Sequence, residues 1–244
     1  MIERIFPIIL LSFLVERTAL AQKDIEVRQQ AWFGYFNQTR FTERSGLWVD
    51  LQPRLNDGVS EMAVIIARLG YTYFVADQLR VTAGYGYITH FALDDEMPDV
   101  PEHRPWQQIQ WFDKKKGVSL AQYFRVEERL VRQVSEGELS DDYRFTWRFR
   151  YNFFIGFPLK GPAIEPKTPF LFLNDELLIS AGKNVVNNYF DQNRLFSGMG
   201  YQFTAGLNAQ LGYLFVFQQL PPGNAYIHVN GIRLSVFHNL DLRK

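Results

Sequence analysis

The sequence predicts an all-β protein, a closed antiparallel transmembrane β-barrel of 10–12 strands with a polar, arginine-rich lumen. Three observations predict it. Long stretches alternate large apolar with polar residues, and no helical period of useful length is present. Several of these stretches reach about 13–17 residues, roughly 45–55 Å when extended, whereas strands of soluble domains usually run to about 5–6 residues. The chain is also rich in aromatic side chains, with 22 Phe, 12 Tyr and 5 Trp in 244 residues.

The N-terminus reads first as an address. "MIERIFPIILLSFLVERTALAQKD" has Arg4, an apolar run from Ile5 to Val15 and a small-x-small site at residues 19–21. Residues 1–21 are therefore expected to be a cleaved secretory signal peptide, and the run is too short to span a membrane as a helix. Residues 22–244 follow as a single outer-membrane barrel domain with no internal boundary.

Strands are expected at 29–38, 47–55, 61–75, 78–91, 104–113, 118–132, 141–157, 169–183, 191–203, 206–218 and 225–242. Turn signals separate them: "NDG" at 56–58, "KKKG" at 114–117, "SEGELSDD" at 135–142, "LKGPAIEPKTP" at 159–169, "NVVNN" at 184–188 and "LPPGN" at 220–224. That makes eleven strands, whereas single-chain barrels of outer membranes normally have an even number. An additional short strand near 22–30 would make twelve; loss of one would make ten. The loops before the fifth, seventh, ninth and eleventh strands are mostly longer than those before the fourth, sixth and tenth, which assigns the longer set to the extracellular side and returns the C-terminus to the periplasm.

Which face meets lipid follows from energy. In "YRFTWRFRYNFFIGF", Tyr143, Phe145, Trp147, Phe149, Tyr151, Phe153 and Ile155 share one face. Arg144, Arg148 and Arg150 share the other. An arginine facing lipid near the midplane costs about 2–4 kcal/mol, so the aromatic face is expected to be lipid-facing and the arginines lumenal. The same parity holds at 47–55, where Trp48, Asp50, Gln52 and Arg54 oppose Leu47, Val49 and Leu51. It holds again at 118–132, where Tyr123, Arg125, Glu127 and Arg129 oppose Phe124, Val126 and Leu130. Only a closed barrel satisfies all the strand hydrogen bonds in lipid.

The candidate site is the lumenal charge network: Arg125, Glu127, Arg129, Arg144, Arg148, Arg150, Glu176 and Arg194. Two roles compete for it. Ionised groups in a confined space need partners, so the network can be an ion-pair plug. An excess of arginine also favours anions, so it can be an anion constriction or a binding site for a small anionic solute.

Other chemistry is sparse. No cofactor or metal is expected, because His90, His103, His228 and His238 lack ligand spacing. Cysteine is absent, which excludes disulfides, thiolate metal sites and a cysteine nucleophile. No nucleic-acid partner is expected, since 26 basic residues balance 26 acidic ones. Ser235 and His238 have opposite parity on one strand and cannot form a hydrolytic pair there. "GYGYIT" at 84–89 and "GKN" at 182–184 are not phosphate loops.

"QAWFGYFNQTRF", "LWVDLQPRL", "EHRPWQQIQW", "FRVEERLVR", "YRFTWRFRYNFFIGFPL", "NDELLIS" and "FDQNRLFSGMGYQF" occur in this order. Together, over about 29–242, they resemble the bacterial family catalogued as domain of unknown function 2490. The resemblance implies a Gram-negative outer-membrane barrel and transfers no catalytic residue. The expected partners are the lipid bilayer, lipopolysaccharide and the barrel assembly machinery; the oligomeric state is open. The expected role is a narrow pore, a solute-binding barrel or a structural envelope protein. The alternatives are an outer-membrane lipid hydrolase, of phospholipase or lipopolysaccharide deacylase type, and a secreted soluble β-sandwich.

Overall fold

Eleven strands follow one another along the chain: β1 (Asp24–Arg40), β2 (Ser45–Asn56), β3 (Glu61–Ala76), β4 (Leu79–His90), β5 (Val100–Lys115), β6 (Val118–Ser135), β7 (Glu138–Pro158), β8 (Thr168–Ala181), β9 (Phe190–Gln202), β10 (Leu207–Gln219) and β11 (Ala225–Asp241). One short 3-10 turn, Asp57–Val59, joins β2 to β3. These come from a computed structural model that describes residues 23–94, 96–115 and 117–243. The expected signal peptide at 1–21 lies outside the described residues.

The strands form a single closed barrel in chain order. Each pairs with the next in antiparallel fashion, and β1 closes on β11 in parallel. The parallel seam corrects two expectations, an even strand count and a wholly antiparallel sheet. Its cause is arithmetic: strands that alternate up and down bring the first and last of eleven to the seam pointing the same way. Among the described residues there is no extra strand near 22–30; from Asp24 that segment is the first half of β1. The alternation there is faint but real, since Ile25 and Val27 point outward beside the more polar Glu26 and Arg28. A parallel ladder is slightly weaker per residue than an antiparallel one. The seam offsets this by length, registering Asp24 opposite Ala225 and continuing to Arg40 opposite Asp241.

The connection between β6 and β7 is shorter than expected. "SEGELSDD" contributes most of its residues to strand, and only Glu136–Gly137 turn. Both have positive φ, 53° and 82°, the backbone of a two-residue hairpin whose twist matches that of the strands. Loop length consequently does not separate the barrel ends. The loops at 91–99 and 182–189 lie at one end, but the equally long 159–167 lies at the other.

A single sheet closed on itself rules out the sandwich alternative. The interior is two-sided. Trp32, Phe170, Phe172, Phe196, Leu214, Val216, Ile227 and Val229 pack into an apolar cluster inside the barrel, formed by β1 and β8–β11. Opposite them the wall is charged. There Gly70 and Gly84 sit opposite one another, and Trp106 is registered opposite Gly84. A Cβ on Gly84 would lie 2.9 Å from the Trp106 ring and 2.3 Å from the Leu69 carbonyl. The glycines are therefore what lets a fully buried Trp106 lie against the wall.

Candidate functional site

Alternation decides which side chains enter the lumen, and the registers then bring them level across neighbouring strands. Tyr143, Trp147 and Tyr151 are exposed on the outer face. Phe145, Phe149, Phe153 and Ile155 share that face and are half-buried. On the inner face of β7, Arg148 and Arg150 are buried.

At the centre Glu127 is wholly buried. It lies 2.6 Å from Arg150, 3.5 Å from Arg104 and 3.6 Å from Arg125. Arg150 reaches on to Glu176 at 2.5 Å, and Glu176 also pairs with Arg194 at 3.2 Å. The Tyr123 hydroxyl donates to Glu176 as well. On the other side, Glu102 accepts from Arg104 Nε at 2.7 Å and from Arg129 through two bonds of 2.7 and 2.9 Å. The ladder therefore runs unbroken from Glu102 on β5 to Arg194 on β9. Two satellites complete it. Arg148 pairs with Asp191 at 2.5 Å, and Arg68 lies 3.6 Å from Asp50, which also accepts from Trp48 and Gln52.

Of the expected network, seven members are thus assembled: Arg125, Glu127, Arg129, Arg148, Arg150, Glu176 and Arg194. Arg144 is not among them. It has the right parity, but it lies four residues before Arg148 at a mouth of the barrel, exposed and without an ion pair among the described residues.

The interior holds more charge than expected. Arg54, Arg68, Arg80, Arg104 and Arg233 also point inward, as do Asp50, Glu102 and Asp191. Arg54 and Asp50 carried a readable parity signal. Glu102 and Arg104 did not, because His103, Pro105 and Gln107 on the outer face of β5 blur the apolar contrast. Arg68 shares its face with Ile66 and Phe74, so the inner face of β3 does not read as polar. In the body of the barrel, ten arginines face five carboxylates.

The ladder separates two cavities. The larger, about 570 Å³, opens toward the end that carries the C-terminus, where the 159–167 loop turns Ile164 inward. The smaller, about 340 Å³, opens at the other end, where buried Val185 of the 182–189 loop enters the barrel. Trp32, Arg54, Arg68, Arg150 and Arg194 line both, so they mark where the cavities meet.

The histidines are scattered. His90 hydrogen-bonds Glu102 at 2.9 Å. His103 sits outward among Tyr85, Tyr87 and Tyr143, His238 against Tyr35, and His228 against Phe215 and Phe217. Among the described residues no histidine is hydrogen-bonded to a serine or threonine.

A comparison with curated proteins finds no significant match. Among solved structures, one described as the NanC porin in a rhombohedral crystal form superposes with a TM-score of 0.47 at 15% identity, over 86% of this chain and 99% of that one. A family model described as "Protein of unknown function (DUF2490)" matches residues 29–226. That span runs from the first half of β1 to the start of β11 and takes in the whole charge ladder, and the chain accordingly belongs to the DUF2490 family.

Proposed function

We propose that this protein is an outer-membrane barrel of porin-like character whose lumen handles small anions. The observation that carries the reading is the charge imbalance: among the described residues ten arginines face five carboxylates in the body of the barrel, and four of them, Arg54, Arg68, Arg150 and Arg194, stand where two cavities that open toward opposite ends meet. Rings of arginine select anions in confined pores. An eleven-stranded barrel lies between the side-chain-filled eight and the open sixteen. The membrane location is supported by the outer face. Tyr35, Leu51, Leu69, Tyr71, Tyr85, Tyr87, Ile109, Leu171, Leu211 and Tyr213 are all large, apolar or aromatic, and exposed there. Water would be a poor solvent for such a face, and lipid is a good one. The expected signal peptide supports export.

Planar-bilayer recording across a KCl gradient tests the reading. The reversal potential should report anion preference, and Arg148→Ala and Arg194→Ala should each lower the anion-to-cation permeability ratio. Absence of conductance in the wild type and both variants would defeat the pore and leave the ladder as a plug.

A further inference from the structure

Seven of the ten lumenal arginines have a carboxylate within ion-pair distance. Arg54, Arg80 and Arg233 do not, and all three line the larger cavity. Arg80 is bonded to the Gln110 amide and Arg233 to the Ser235 hydroxyl. Arg54 has neither. Its guanidinium carbon lies over Trp32, 3.6 Å from the ring centroid, and its buried Nε has no hydrogen-bond partner among the described residues. Arg68, Arg150, Arg194 and Arg233 line the same cavity, whose buried carboxylate Glu176 is already paired with Arg150 and Arg194. A buried cation without a paired anion is costly. Its stack on Trp32 recovers part of that cost, and an anion would recover far more.

The rest of the cavity says what kind of anion. Beside Arg54 and Arg233 the wall carries Phe36, Phe196 and Phe237, with Ile164 from the 159–167 loop, among polar side chains that include Gln52, Asn208 and Gln210. A small inorganic anion would give up hydration against the apolar side chains and receive nothing in return. An organic carboxylate uses both halves, since a guanidinium fork matches a carboxylate in two parallel bonds and a ring fills the apolar wall. A volume of about 570 Å³ is that of a small-molecule site.

We propose that the larger cavity is a binding site for small aryl or alkyl monocarboxylates. Arg54 and Arg233 hold the carboxylate, and the body of the ligand lies against Phe196 and Ile164. This deepens the anion-handling reading and rests on it only for access of solute to the lumen.

Titration calorimetry on the full barrel in detergent micelles tests the site with four probes: phenylacetate, its neutral analogue phenylacetamide, acetate and inorganic phosphate. Phenylacetate should bind at one site, with each of the other three at least about tenfold weaker. Arg54→Gln should weaken phenylacetate by at least about tenfold, while Arg132→Gln on the outer rim should leave it unchanged. If Arg54→Gln does not fold, Arg233→Gln gives the same reading. Equal binding of phenylacetamide, acetate or phosphate, or wild-type affinity in the arginine variant, would overturn the proposal. Conductance without phenylacetate binding removes this site and leaves the pore. Binding without conductance removes the pore and leaves this site.

Discussion

Glu127 and Glu128 are adjacent in the chain and differ in almost everything that matters. Glu127 faces inward, is inaccessible to solvent and has three arginines around it. Glu128 faces outward and accepts one long bond of 3.4 Å from Gln107. Removing one partner from a buried ion pair leaves the others unneutralised, so Glu127→Gln should destabilise the barrel by about 3–5 kcal/mol. Glu128→Gln should cost less than about 1 kcal/mol. Urea unfolding of the two purified variants side by side checks this, and equal midpoints would show that the ladder carries no structural weight. The contrast was legible as parity. What parity could not supply was the partner list: Arg104 approaches Glu127 from the next strand and Arg150 from the strand on the other side, and those meetings depend on register.

The β6–β7 hairpin shows how one turn sets the length of an element. A loop of eight residues was expected from "SEGELSDD", because Ser, Gly and Asp cluster there. The chain instead turns on Glu136 and Gly137 alone and carries both strands beyond the ladder. Arg144 lies on this hairpin four residues before Arg148, about 13 Å along the strand, and is exposed at a mouth. Gly137 has φ of 82°, and a Cβ there would meet nothing within 4 Å. Gly137→Ala should therefore cost about 1–2 kcal/mol through backbone conformation alone. Comparing the unfolding free energies of Gly137→Ala and wild type checks it; no change would mean that the turn relaxes to another type. Composition marked the turn region but could not place it, since polar residues suit a loop and a rim strand equally well.

At the scale of the whole molecule the seam is the distinctive feature. Parallel closure places Phe33 opposite Leu234, with both on the outer face. The protein contains no cysteine, so the pair Phe33→Cys with Leu234→Cys can be read without background. It should oxidise to a disulfide in the folded barrel, because registered neighbours satisfy the Cα separation that the bond needs. Phe33→Cys with Leu240→Cys should not, being six residues out of register. A shift in non-reducing gel mobility reports the crosslink. Efficient crosslinking of the second pair, or failure of the first, would refute this seam.

Alternation is a local property, and it determined by itself nearly all that is local here: the all-β class, a barrel of ten to twelve strands, the faces of β2, β6 and β7, and an interior rich in arginine. A period of two needs only the pleat of one strand to assign every side chain to a side. What is shared between strands was decided by the tertiary structure. Parallel closure follows from the chain meeting itself, which no single segment encodes. Charge pairing follows from the register, in which a slip of one residue would turn a whole face around. The unpaired Arg54 on Trp32 is the clearest case. The sequence could place it in the lumen, but only the assembled wall shows that it stacks on Trp32 and meets no carboxylate among the described residues.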